Sequence, residues 1–207
     1  TYKYDMQLVD AYRANRHDIE APKRNFIIFH LYGQHTAYGE RHPADFAKFS
    51  VRSVKSKLRL SDEQRGVVAD YLNATLYNDY VVDSIIRMFS DRNAVVLYFS
   101  DHGEEVYDFR LQQGRTDLMT DVPRALHSQL DIPFMIYVSP RYAATHPQQV
   151  ERIKRSLDRP FMTDNLPQVI FDLLGVRTSF YRPVRSVIND AYRPQKQRML
   201  QVGREYN

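Results

Sequence analysis

Two rhythms of apolar and polar positions alternate along the chain. Short unbroken apolar runs, rich in Val, Ile and aromatics, lie at residues 25–30, 94–99 and 133–138. Runs of this kind, bounded by polar residues, read as strands, and the run at 94–99 as a strand buried on both faces. Pro133 suits a strand's first position, where a missing donor is tolerated. Elsewhere apolar residues recur three and four apart. The clearest case, residues 61–89, places Val68, Tyr71, Leu72, Leu76, Tyr80, Ile85, Met88 and Phe89 on one stripe. Ser61 followed by Gln64 is a capping-box start for that helix, and Asp91-Arg92-Asn93 closes it. Residues 4–10 and 145–157 also read as helices, the second amphipathic and basic. A further helix opens at Thr163-Asp164 and runs through Leu174, with Leu166, Val169, Ile170, Leu173 and Leu174 inward and Gly175 as its stop. The strand–helix–strand alternation predicts parallel α/β structure in one domain without a linker.

Two of the predicted strands end in side chains that do chemistry. The run Ala94-Val95-Val96-Leu97-Tyr98-Phe99 leads through Ser100 into Asp101, His102, Gly103 and Glu104. In open α/β sheets ligands bind beyond the carboxyl ends of the strands. Neighbouring strand residues point to opposite faces, so Asp101 and His102 face one site only if the chain turns there, and Gly103 supplies that freedom. A carboxylate with an imidazole is a ligand pair for zinc or a similar divalent metal. The other reading is a helix cap at Asp101 beside a chance histidine. The run at 25–30 repeats the design, ending in His30 and, across Gly33, His35. A lone histidine is more often a satisfied core or surface residue. Two strand ends of this kind carry the expectation that all four side chains converge on one cation pocket.

Composition narrows the classes. With 43% hydrophobic and 26% charged residues the chain has ordinary globular usage, and no apolar run approaches the roughly 18 residues of a membrane span. The polar, helical start is unlike a signal peptide. The absence of cysteine excludes disulfides and Cys-ligated zinc. The net charge of +4 has its excess late in the chain, at Arg177, Arg182, Arg185, Arg193, Lys196, Arg198 and Arg204. Those cations read either as a solvated face or as an attraction to anionic head groups. They lack the aromatic interleaving of a nucleic-acid stacking platform, and no standard nucleic-acid motif accompanies them, so no nucleic-acid partner is expected.

Phe29-His30-Leu31-Tyr32-Gly33-Gln34-His35, followed by Tyr38 and Arg41-His42-Pro43, resembles the His-x-x-Gly-x-His segment of the phosphoethanolamine transferases, metal-dependent members of the alkaline phosphatase/sulfatase superfamily. Tyr77-Asn78-Asp79-Tyr80 is similar to the helix before that family's metal-binding strand. Ser100-Asp101-His102-Gly103-Glu104 matches its Ser-Asp-His-Gly-Glu signature. Ile132-Pro133-Phe134, residues 160–167 and Arg185-Ser186 resemble later parts of the same domain. Each motif is weak alone; their shared order over residues 4–194 is specific.

The resemblance implies an α/β, alkaline-phosphatase/sulfatase-like three-layer sandwich with a mainly parallel sheet, incomplete in this chain. Residues 1–207 would be the C-terminal portion of a single catalytic domain, and this fragment alone would be inactive. It implies Zn2+, with a second divalent metal left open, and transfer of phosphoethanolamine from a phospholipid donor to lipid A or another glycolipid acceptor through a phospho-threonine. The threonine and the other ligands would belong to the N-terminal half of the domain, and the enzyme to the periplasmic face of a bacterial inner membrane. Asp101 and His102 would be metal ligands and Glu104 would orient His102. His35 would contact the phosphoryl group, protonate the leaving alkoxide or hold a second metal. His30 has either a catalytic role or that of a buried histidine bonded to backbone. The family's further histidine after the Asp-His pair is missing from residues 113–117. His127 folding back, Arg115 or Asp117 would replace it as a substrate contact. Two other readings stand beside the transferase: a sulfatase or phosphodiesterase hydrolase of the same superfamily, and a non-catalytic module binding an anionic surface.

Overall fold

The structure, a computed structural model, describes residues 2–21, 23–115 and 123–194, with the backbone of two short strands at 198–199 and 205–206. The chain divides into two compact units, one of Thr1–Met88 with Phe99–Pro133 and one of Phe89–Tyr98 with Phe134–Asn207. No helix among the described residues is long and apolar enough to cross a membrane.

The first unit is built on helix α1 (Asp5–Ala14), the short α2 (Arg16–Ile19) and the long α3 (Asp62–Phe89). The predicted cap of α3 is present: the Ser61 N–H donates to Gln64 Oε1 (2.9 Å) and the Gln64 N–H to Ser61 Oγ (3.2 Å). The buried face of α3 differs from the predicted stripe. Ala69, Asn73, Ala74, Tyr77, Asn78, Val81, Val82, Ser84, Ile85 and Met88 are buried, whereas Tyr80 is 47% exposed. Small and amide side chains take the inward positions because neighbouring backbone lies close. Asn73 accepts from the Phe49 N–H (2.8 Å) and donates to the Phe49 carbonyl (3.0 Å), which keeps a buried amide satisfied.

The strand predicted at residues 25–30 does not form. The segment is extended but belongs to no ladder, and Phe26 and Ile28 are 59% and 74% exposed. Strand character depends on a hydrogen-bonded ladder, and residues 25–30 are not part of one. The segment is held at its far end instead. The buried Asp5 carboxylate accepts the backbone N–H groups of Tyr32 and Gly33, both at 2.9 Å, with Gly33 at φ 57°. Two short strands, β2 (Glu105–Val106) and β3 (Gln113–Gly114), pair antiparallel with Glu105 opposite Gly114. Helix α4 (Pro123–Leu130) completes the unit.

The second unit pairs β1 (Val95–Phe99) with β4 (Phe134–Val138). β1 is only half-buried, not covered on both faces as predicted, since β4 is its one partner among the described residues. Buried Ser139 joins the two chain segments. Its N–H donates to the Ala94 carbonyl (3.1 Å), its hydroxyl donates to the Arg92 carbonyl, and Oγ accepts from the Ala94 N–H (3.2 Å). The same Oγ caps α5 (Pro140–Thr145) through the Tyr142 N–H (3.1 Å). The predicted helix at 145–157 is realised as the shorter α6 (Pro147–Lys154), with Pro147 in its first turn, and α5 before it was not predicted. The core is Ile153, Val169, Val187 and Ile188, packed by Phe134, Ile136 and Val138 from one face of β4. α7 (Leu166–Leu174) supplies Val169 and ends at Gly175 in the left-handed region, as predicted, but Leu174 is 43% exposed and not inward. The tail holds an antiparallel pair, β5 (Arg198–Met199) and β6 (Glu205–Tyr206).

Candidate metal centre

Asp101 and His102 follow β1 in a tight loop. The His102 Nδ1 lies 2.8 Å from the Gly103 carbonyl, which can only accept, so Nδ1 carries the proton and Nε2 the lone pair. Nε2 lies 3.6 Å from Asp101 Oδ1. Two donors at zinc–ligand distances of about 2.0–2.2 Å in tetrahedral geometry stand roughly 3.3–3.5 Å apart. The pair therefore has nearly the bite of a tetrahedral cation, with the carboxylate open to solvent and the imidazole mostly covered (86% and 28% exposed). This donor set fits two positions of a divalent metal's coordination shell.

Gly103 serves a different purpose from the one predicted. Its φ is not positive; what it provides is space. A Cβ there would stand 2.3 Å from the Ser128 carbonyl oxygen and 2.9 Å from the Gln129 carbonyl carbon. The Gly103 N–H donates to the Gln129 carbonyl (2.9 Å), which satisfies one of the last carbonyls of α4.

Behind His102, Glu104 Oε2 lies 3.9 Å from Nδ1, beyond hydrogen-bond reach, and Oε1 accepts the Tyr38 hydroxyl at 2.9 Å. Tyr38 stands in the loop after His35, buried against Ala74 and Val106 with its ring edge-on to Tyr71. Burial, reinforced by the Glu104 carboxylate, pushes the Tyr38 phenol far above its usual range, so it stays a donor. The two loops singled out in the sequence are thus tied together, through Tyr38 and Glu104 and not through their histidines. Removing the tie by Tyr38→Phe frees the Glu104 carboxylate and is expected to lower zinc affinity by less than the ~10–100-fold typical of losing a group bonded directly to a ligand. Competition with a chelator measures it.

Glu105, fully buried, is held by Arg110 through two hydrogen bonds (2.6 and 2.7 Å) and by Gln129 Nε2 (3.2 Å). These bonds, the Arg110 guanidinium first, keep its carboxyl below the ordinary carboxylate range despite burial. The folded protein therefore binds this proton less tightly than the unfolded chain. The resulting stability is complete above the ordinary value of 4.5 and is lost as pH falls through the lower folded value. Thermal melts over the acid range should show this limb in the native protein and a flatter one in Glu105→Gln.

The other predicted residues belong to other segments of the first unit. His30 is exposed on the extended segment, which excludes the reading as a buried histidine. His35 is exposed, with Nδ1 3.4 Å from the Thr36 carbonyl. Arg41 donates to the same carbonyl (3.1 Å) and lies over the Tyr32 ring (5.0 Å). His127 is exposed on α4 with Nδ1 2.8 Å from Asp131 Oδ2. Arg115 is exposed just after β3, and Asp117 lies outside the described residues. Among the described residues no three or more His, Asp or Glu side chains are grouped to hold a metal, so the predicted four-residue pocket is not formed by them. Sequence reasoning missed Asp5 as the clamp on the His35 loop and the Glu105–Arg110 pair. The only advance signal for either was an acidic residue opening a helix and opposite charges astride a turn.

A half-buried strand followed by the adjacent Asp101–His102 pair, in a chain of helices and short strands, fits a sulfatase-like α/β domain. The family model described as Sulfatase matches residues 1–176, and the chain belongs to that family. It is 36% identical over 195 residues to the phosphoethanolamine transferase EptC of Escherichia coli O18:K1:H7, a match covering 92% of this chain and 32% of that protein. The crystal structure of the C-terminal periplasmic domain of E. coli EptC in complex with Zn superposes with a TM-score of 0.80 at 33% identity, covering 94% of this chain and 53% of that one. The corresponding EptC domain from Campylobacter jejuni, at 21% identity and a TM-score of 0.71, shares the fold. The chain spans about a third of the length of the curated relatives and about half of the solved domains.

Proposed function

We propose that these residues form the Asp-His side of the catalytic centre of a zinc-dependent phosphoethanolamine transferase, acting at the periplasmic face of a bacterial inner membrane. The observation that carries the reading is the 3.6 Å separation of Asp101 Oδ1 and His102 Nε2, with the imidazole tautomer already set for metal. The ordered match to phosphoethanolamine transferases and the Zn in the E. coli EptC domain support it. The remaining ligands and a threonine nucleophile would come from polypeptide outside these 207 residues, which makes that polypeptide the chain's first partner.

Zinc, when bound, supplies Lewis acidity that stabilises an alkoxide and the charge developing on phosphoryl oxygens. Asp101 and His102 hold it, and Glu104, restrained by Tyr38, backs His102. The threonine oxygen attacks phosphorus and the bond to the diacylglycerol oxygen breaks; His35 delivers a proton to that leaving oxygen, with His30 on the same segment as the alternative donor. In the second half a glycolipid hydroxyl or phosphate oxygen attacks phosphorus and the threonine–phosphorus bond breaks. Arg115, His127 and His35 bind the phosphate from the chain's own loops. The test uses the complete polypeptide with head-group-labelled phosphatidylethanolamine and lipid A. Label on the glycolipid supports the transferase; label released only to water identifies a hydrolase of the same superfamily.

A further inference from the structure

We infer that residues 174–185, together with Arg193, form a surface that docks on an anionic lipid bilayer. The segment is ordered. After α7 the Val176 N–H closes on the Phe171 carbonyl (2.9 Å), and the chain turns back along the helix. Gln168 accepts the Arg182 N–H and donates to the Phe180 carbonyl (3.3 Å). Tyr181 is drawn inward, its hydroxyl donating to buried Asp172, which also accepts Asn189 Nδ2. Burial, with the Asp172 carboxylate, pushes the Tyr181 phenol up to about 12. With Tyr181 turned in, the adjacent Phe180 projects outward, 77% exposed. Leu174, Val176 and Val184 are also exposed.

Exposed arginines stand among these apolar side chains. Arg177 lies over the Tyr181 ring (4.4 Å) and 3.6 Å from Asp172. Arg182 donates to the Ser179 and Tyr181 carbonyls, which leaves its charge intact. The Arg193 N–H bonds to the Val184 carbonyl (2.9 Å), which brings a further guanidinium beside the patch, and Arg185 is exposed nearby. No Asp or Glu occurs between Asp172 and Asp190. Asp172 is buried, and Asp190 is engaged by Arg152 (3.0 Å) and Arg155 (2.7 Å). Acyl chains accept the protruding Phe180 and its aliphatic neighbours while the phosphate plane accepts the guanidinium groups, whose stems lie along apolar surface. An acidic protein partner would account for the arginines but not for a lone projecting phenyl ring.

The inference does not depend on zinc, so it and the transferase reading can fail separately. These 207 residues contain no Trp, so the difference in emission between the complete polypeptide with and without Phe180→Trp reports on this position. Its emission should shift to the blue, and be quenched by brominated acyl chains, on vesicles of phosphatidylcholine with phosphatidylglycerol. Arg182→Gln/Arg185→Gln/Arg193→Gln should lower partitioning onto those vesicles by roughly 100-fold, given about fivefold per cation, and Phe180→Ser should lower it further. An unchanged Trp spectrum, equal partitioning onto pure phosphatidylcholine, or arginine loss without a Phe180 effect would overturn the inference. The last outcome would instead indicate a purely charge-driven, acidic partner.

Discussion

On the proposed transferase reading, His102→Ala in the complete polypeptide is expected to lower phosphoethanolamine transfer by about a thousandfold. Removing a metal's Lewis acidity forfeits several kcal/mol of transition-state stabilisation, and each 1.36 kcal/mol is tenfold in rate. His102 Nε2 stands 3.6 Å from Asp101 Oδ1, and its Nδ1 is already committed to the Gly103 carbonyl. Alanine removes the lone pair without disturbing the loop's backbone bonds. Steady-state rates at saturating zinc, with bound metal counted in the same samples, separate loss of the cation from loss of the fold. A variant that keeps both zinc and full turnover would remove His102 from the site.

Gly103→Ala should be the most damaging single methyl in the loop. The added carbon would meet backbone atoms of α4, the nearest 2.3 Å away, and backbone cannot swing aside as a side chain can. Overpacking of this kind costs typically 1–3 kcal/mol, occasionally more, and in a chain of this size lowers the melting temperature by about 2–4 °C per kcal/mol. The loop must also move away from α4, which breaks the Gly103–Gln129 hydrogen bond and turns the Asp101–His102 pair. Thermal unfolding and zinc titration of this variant should fail together, whereas a half-buried control such as Gly66→Ala, with nothing within 4 Å of its added carbon, should leave both intact.

These contacts show how much of the molecule was legible beforehand. The start of α3 was, because a capping box is local chemistry written in Ser61 and Gln64. So was the stop at Gly175, where only the backbone conformation matters. The Asp101–His102 pair could be singled out because it follows an apolar run directly. What could not be read were properties of distant neighbours. Residues 25–30 have strand composition but are not part of a ladder. The inward face of α3 includes Asn73 because the backbone of residue 49 lies against it. Gly103 looks like a turn glycine until the end of α4 is seen beside it. Leu174 follows the helical period and yet lies outside, where the chain turning back leaves it uncovered.

The most direct test is an anomalous difference map at the zinc absorption edge from crystals of the complete polypeptide. A single strong peak should lie about 2.0–2.2 Å from both Asp101 Oδ1 and His102 Nε2, with His102 Nδ1 still on the Gly103 carbonyl, and should vanish in His102→Ala. Zinc bound elsewhere, or a peak that survives the substitution, would contradict the assignment of this pair as the metal's ligands.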